Sequence, residues 1–328
     1  MSRPFVWLGV TLMLMLIGSD VHAQNARAAV RRITVEPNVT LEVLDWGGTG
    51  RPVVLLAGLG NDAHVYDKFA PKLATDYHVY GITRRGFGAS SSPALGYTAD
   101  RLGDDVLAVL DSLALVRPVL VGHSVAGEEL SSVGSRRPER IAGLVYLEAG
   151  HAYAYYDSTR GNFAIDLADM QRKLDQLWPG AGLGTRDLGD LLQQLIATDL
   201  PRMERDLRDV QKAVASAPVQ PSRPIKPGPV SPSELIMMGG QKYRNIPAPS
   251  LAIYAFPRQL PPVQLDAAQR AALLAADSAI AAQANAFERG VPTARVVRLP
   301  NATHAVFLSN EADVLREMRA FIGALPPM

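Results

Sequence analysis

The feature that most constrains this chain is a series of short, almost unbroken apolar runs: PVVLLAG (52–58), YHVYGIT (77–83), RPVLVGH (117–123), IAGLVYLE (141–148) and PSLAIYAF (249–256). A strand that is apolar on both faces has to be covered on both faces, which is the habit of buried parallel strands rather than of half-solvated antiparallel ones. Amphipathic stretches near 64–75, 99–113 and 125–136 separate the first four runs. Strands joined by helices imply a doubly wound, mostly parallel α/β sheet with right-handed crossovers. RRITVE and TLEVLDW, parted by the turn-like EPN, add two strands at the start. An alanine-rich helix (265–288), a strand ARVVRL and a last helix (310–322) complete the far end.

Between the fourth and fifth runs the pattern changes. Tyr153, Tyr155 and Tyr156 are followed by helical stretches DLADMQRKLDQLW and LGDLLQQLIATDLPRMERDLRDVQKAV, and then by six prolines within the Pro-rich segment 218–232. Proline cannot donate to a sheet ladder, so that segment belongs on a surface. The expected organisation is a core formed by 30–149 and 246–328, interrupted by a helical insertion at 150–245. No internal repeat is present.

Composition removes several functions. Thirty-three Lys and Arg oppose thirty-two Asp and Glu, so no overall positive field exists to attract nucleic acid or anionic lipid. Cysteine is absent, which excludes disulfides, thiolate metal ligands and a cysteine nucleophile. None of the six histidines makes an H-x-x-x-H or similar pair, so a zinc enzyme is not expected and no metal ligands are assigned. At the amino terminus, Arg3 precedes an apolar run at 5–18 and the polar stretch SDVHAQN. That run is short of the roughly 20 residues a membrane span needs. The pattern reads as a signal peptide, residues 1–23, cleaved after Ala23 to give an exported protein. An uncleaved membrane anchor is the alternative.

The chemistry concentrates in VLVGHSVAG (119–127). A buried strand delivers Ser124 to a tight turn flanked by Gly122, Ala126 and Gly127, and a helix begins at once. Small residues on both sides of a serine are what a strained strand-to-helix turn requires. A serine nucleophile needs a base. His304, in PNATHAVFLS after the last strand, falls on the same carboxyl edge of the sheet. His22 lies in the signal, His78 starts a strand, His123 is expected to serve packing, and His64 and His151 lack an obvious partner. The base in turn needs a carboxylate to fix its tautomer. No acid follows the strand LAIYA, where the sequence reads FPRQLPP, and Asp266 comes too late. Glu148 ends the strand IAGLVYLE at the right edge and is taken as the third member, with Asp157 as the alternative. Backbone N–H groups of Leu59, in the loop AGLGND, and of Val125 are placed to bind a developing oxyanion.

The segments AGLGNDAHVYD, GITRRGFGASS, LVGHSVAG and NATHAVF, in that order, resemble the α/β-hydrolase superfamily over nearly all of 40–323. The resemblance implies an eight-stranded sheet, a cap domain over the site, and a triad in the order Ser, acid, His, which Ser124, Glu148 and His304 obey. RRGFGAS is similar to a loop of epoxide hydrolase-like and haloalkane dehalogenase-like members. Those carry an aspartate nucleophile, so Ser124 argues against both chemistries, whereas dehalogenase relatives with the acid after the sixth strand favour Glu148. Ala126 in place of glycine, Ala57 in place of a histidine, Thr83 before the double arginine and the missing acid after the seventh strand are departures.

The function read from these residues is hydrolysis of a carboxylic ester of a small or medium substrate through an acyl-enzyme, with no cofactor, no nucleic-acid partner and no membrane span in the mature chain. Tyr153, Tyr155, Tyr156, Phe163 and Trp178 are expected to line a pocket under the insertion. Amide, lactone or carbon–carbon bond hydrolysis and acyl transfer are alternatives on the same groups. A non-catalytic binding protein of the same fold is the alternative of a different class. The sequons at Asn38 and Asn301 are read as chance matches.

Overall fold

The computed structural model describes residues 28–178, 182–216, 228–258 and 266–327. The expected signal peptide lies outside the described residues, as does 218–227 of the Pro-rich segment.

Eight strands form one sheet: β1 (Ala29–Glu36), β2 (Val39–Gly47), β3 (Pro52–Leu56), β4 (His78–Ile82), β5 (Val119–His123), β6 (Gly143–Leu147), β7 (Ser250–Ala255) and β8 (Ala294–Leu299). Their order in space is β1-β2-β4-β3-β5-β6-β7-β8. β1 pairs with β2, and β2 with β4, antiparallel; all other neighbours are parallel. Asn38 closes the β1–β2 turn at φ 66° and Asn301 a later one at φ 57°. Asparagine tolerates that left-handed conformation, a structural reason for both sequons to begin where they do.

The long apolar runs are the strands with no solvated face. Along β3, Val54 and Leu56 enter one apolar cluster while Val53 and Leu55 enter another, because successive side chains point to opposite faces. Helices cover both faces: α1 (Ala70–Leu73), α2 (Ala99–Ser112), α3 (Gly127–Arg136), then in the insertion α4 (Phe163–Asp175), α5 (Thr185–Gln194), α6 (Leu200–Ser216) and α7 (Pro232–Met238), and finally α8 (Ala267–Gly290), α9 (Val306–Ser309) and α10 (Glu311–Gly323). The helix expected over 64–75 is instead a 3₁₀ turn, Ala63–Tyr66, followed by α1. α5 and α6 are joined by a π-helical turn, Leu195–Asp199. Pro201 has no N–H to return to the Ala197 carbonyl, which explains a local change of winding there.

β3 leads to β4 on one side while β5 lies on the other. The carboxyl ends of β3 and β5 therefore border the point where the winding reverses, and the loops leaving them open onto one crevice. No helix among the described residues is long and apolar enough to cross a membrane.

Candidate active site

Ser124 follows β5 directly and has φ 53°. A non-glycine residue in that region costs on the order of 1–3 kcal/mol, a cost the surrounding packing sustains. Ala126 is helical and wholly buried, so this position asks for a small side chain but not for glycine. Gly127 is different: a Cβ there would stand 2.0 Å from the Ala149 carbonyl oxygen. The turn after β5 is thus pressed against the turn after β6. In that second turn Glu148 has φ 48°.

The two turns and the loop before α9 bring three side chains together. The Ser124 Oγ lies 2.9 Å from His304 Nε2, and His304 Nδ1 lies 3.1 Å from Glu148 Oε2. The other carboxylate oxygen, Oε1, accepts the Ala255 N–H at 2.7 Å. Glu148 is 1% exposed. Burial alone would raise its pKa, but the nearby His151 imidazole and hydrogen bonds from His304 and the Ala255 amide outweigh it and hold the carboxyl at about 2. It is therefore a carboxylate, able only to accept. That places the proton on His304 Nδ1 and leaves Nε2 as an acceptor facing the serine hydroxyl.

His123 does more than pack. The His304 carbonyl can only accept, so His123 Nε2 carries the hydrogen that bridges the 3.0 Å between them. Its ring also lies 4.8 Å from that of His304 and 5.1 Å from Phe307. Burial lowers its pKa to about 4, keeping it neutral. His123 thus anchors the backbone of the histidine loop.

Leu59 and Val125 flank the same point. A Cβ on Gly58 would fall 3.2 Å from Ser124 Cβ and 2.8 Å from His123 Nδ1, so the chain passes this close only as glycine. Val125 is the second residue of a helical turn, where an N–H has no intrahelical partner. The Leu59 N–H meets no acceptor among the described residues. Arg84 fixes this loop from behind: its guanidinium donates to the Ala57 carbonyl at 2.8 Å and to both Glu129 oxygens at 2.5 and 2.8 Å. Arg84, the first of the double arginine, thus ties the end of β4 to the loop after β3 and to α3, while Arg85 pairs with Asp105 of α2 and Glu36 of β1.

Of the five aromatic residues expected at the site, one is there. The Tyr153 hydroxyl faces Ser124; burial pushes the phenol above its ordinary pKa, and the serine pulls the other way. Tyr155 instead stacks edge-on with Phe287, 6.0 Å between ring centres, and presses on Gly290. Tyr156 is buried, donating to Asp166 at 2.6 Å among Arg202, Lys242 and Arg244. Trp178 is 78% exposed, and Phe163 belongs to a cluster inside the insertion. What touches the loop carrying Leu59 is α7, whose Leu235 and Ile236 pack with Leu59, Phe87, Tyr97, Leu102 and Val125. Periodicity and aromatic content alone did not single out these aliphatic residues.

The remaining candidates are occupied elsewhere. Asp157 accepts from the Thr159 N–H and hydroxyl in its own turn, and Asp266 caps α8. His64 pairs with Asp67 at 3.0 Å and His78 with Asp45 at 2.9 Å. His151 does have a partner: its Nε2 lies 3.8 Å from Glu148 Oε2, three residues before it in the chain.

Comparison with known proteins places these observations in a family. The sequence profile of the alpha/beta hydrolase family matches residues 53–317. The 2-hydroxymuconate semialdehyde hydrolase of Pseudomonas sp. (strain CF600) is 30% identical over 156 residues, 45% of this chain and 54% of that protein. The 2-(acetamidomethylene)succinate hydrolase of Mesorhizobium japonicum is 26% identical over 132 residues, 40% of this chain and 45% of that protein. The chain spans about half the length of the curated relatives it matches. A solved N-acyl homoserine lactone degrading enzyme superposes with a TM-score of 0.54 at 21% identity, over 89% of this chain and all of the other, a likeness of fold.

Proposed function

This chain belongs to the alpha/beta hydrolase family, and from that premise we propose that it cleaves a carboxylic ester of small or medium size through an acyl-enzyme on Ser124. The observation that carries the proposal is the continuous relay from Ser124 Oγ to His304 Nε2, 2.9 Å, and from His304 Nδ1 to Glu148 Oε2, 3.1 Å. Ser124 Oγ attacks the carbonyl carbon as His304 Nε2 takes its proton. Glu148, ionised, stabilises the imidazolium, and the Leu59 and Val125 amides bind the oxyanion. His304 then gives the proton to the leaving alkoxide. Water repeats the sequence on the acyl-enzyme and restores the serine.

Leu59, Phe87, Val125, Leu235 and Ile236 give the crevice an apolar wall, suited to an acyl or aromatic group and to keeping bulk water from the intermediate. The insertion at 150–245 is accordingly assigned as a cap, with α7 as the part that meets the substrate. Export, by cleavage after Ala23, is part of the same proposal and rests on the apolar run at 5–18.

The test is a panel of chromogenic esters, lactones and amides. Lactones and amides belong in it because relatives of this fold include a lactone-degrading enzyme and a hydrolase of an acetamido compound. The proposal expects esters of short and medium acyl groups to be turned over fastest, with activity lost in Ser124→Ala. Preferred turnover of a lactone or amide would move the substrate class. Turnover of nothing in the panel by a folded protein would favour a binding protein.

A further inference from the structure

Glu148, His151 and His304 offer a carboxylate oxygen and two imidazole nitrogens that all lie within 4.8 Å of one another. Glu148 Oε2 faces both rings, 3.1 Å from His304 Nδ1 and 3.8 Å from His151 Nε2. Oε1 is turned away, held by the Ala255 amide. Tetrahedral zinc with ligand bonds of about 2.1 Å sets its donor atoms about 3.4 Å apart. The two separations from Oε2, 3.1 and 3.8 Å, bracket that spacing. The side chain of His304 is 53% exposed and that of His151 22%, so an ion has a route from solvent and a position left for water.

We propose that this His–His–carboxylate set is an inhibitory site for a divalent first-row transition metal, Zn²⁺ being the probe of choice. Two neutral imidazoles and one carboxylate are a donor set suited to zinc. The inhibition follows from the proton. His304 Nδ1 carries a hydrogen toward Glu148 in the metal-free protein, and a metal bonds only to the deprotonated nitrogen. A ring that binds metal through Nδ1 and keeps one proton keeps it on Nε2, where it points at Ser124. Nε2 then has no lone pair to accept the serine proton, and Glu148 no longer serves the imidazole as acceptor.

Binding stands independently of the hydrolase reading, whereas the inhibition rests on it. The site can therefore be measured both ways with the full-length, tag-free protein. Calorimetric titration with ZnCl₂ in a non-chelating buffer is expected to give one ion per chain with micromolar affinity. Loss of a partner outside the metal's own ligands already costs 10- to 100-fold in affinity, so His151→Phe, which removes a ligand, should cost at least about 100-fold. His151→Gln is the second variant if Phe disturbs folding by circular dichroism.

In parallel, the ratio of ester hydrolysis without and with Zn²⁺ should exceed about tenfold in the wild type, reverse with EDTA, and fall to near one in His151→Phe. Fluorophosphonate labelling of Ser124 should follow the same ratio. A zinc site of undiminished affinity in both His151 variants lies elsewhere and overturns the assignment, as does the absence of binding at millimolar Zn²⁺. Zinc bound with the expected dependence on His151, in a protein whose hydrolysis is untouched, overturns the inhibition. A wild type inactive on every ester that still binds zinc through His151 upholds the site while removing the hydrolase reading.

Discussion

Replacing Glu148 by Gln changes one atom and should change two properties by different amounts. The carboxylate now accepts from Ala255 N through Oε1 at 2.7 Å and from His304 through Oε2 at 3.1 Å. Glutamine can keep only one oxygen, and the buried Ala255 amide will claim it, since an unpaired buried N–H costs about 1–3 kcal/mol. The new amide NH₂ then faces His304 Nδ1, donor against donor. The imidazole answers by moving its hydrogen to Nε2, the wrong tautomer for receiving the serine proton. A loss of kcat near 10⁴-fold, known where a triad carboxylate is neutralised, is expected.

Stability changes as well. The folded carboxyl has a pKa of about 2 against the ordinary 4.5, which corresponds to about 3 kcal/mol. Because the folded value is depressed, that contribution is fully present above pH 4.5 and is lost as the pH falls toward 2. Urea unfolding at several pH values should therefore show wild type and Glu148→Gln separated by up to that amount at pH 7 and converging on acidification. Glu148→Asp keeps the charge but shortens the reach, so a smaller rate loss is expected. A Gln variant within a few-fold of wild-type kcat would refute the tautomer argument, and a pH-independent stability gap would refute the charge argument.

Three further outcomes follow. In Gly127→Ala the new Cβ meets the Ala149 oxygen at 2.0 Å; displacing the turn that carries Glu148 should cost about 1–3 kcal/mol in thermal unfolding and lower kcat with it, and a stable, fully active variant would contradict the close approach. His123 is neutral in the fold down to about pH 4 against an ordinary 6.5, so the unfolded chain alone takes up its proton in that window and stability falls by up to about 3 kcal/mol as pH drops across it; His123→Phe should flatten that slope, and an unchanged slope would place the acid sensitivity elsewhere. Leu235→Ala, at the apolar wall, should reorder acyl chain-length preference by about 10-fold or more, while Trp178→Ala, 78% exposed, should leave it alone; the reverse pattern would move the pocket into the outer part of the insertion.

Much of the architecture was legible because the sheet is buried on both faces. Runs such as PVVLLAG and IAGLVYLE have no solvated side to disguise, and their strands fall within a residue or two of where the runs place them. The pairing order was not legible, since apolar runs carry no record of which neighbour they meet. Ser124 announced itself through the small residues its turn demands. The juxtaposition of Glu148 and His304 depends on the order of β6 and β7 and on a left-handed conformation at a glutamate, which local sequence does not encode. The aromatic residues after 150 misled for a physical reason: a large ring is as well used inside the insertion, as Tyr156 is on Asp166, as against a substrate. The metal-binding set escaped a search by spacing because His304 stands 156 residues from Glu148.

The central claim is that Ser124 is a nucleophile activated by His304. Incubation of the protein with a fluorophosphonate, followed by peptide mass spectrometry, addresses it without knowledge of the substrate. The account predicts one covalent adduct per chain, on Ser124, absent from Ser124→Ala and slowed by at least 100-fold in His304→Ala, whose base is missing. A folded wild-type protein that forms no adduct, or forms it on another residue, would contradict the claim.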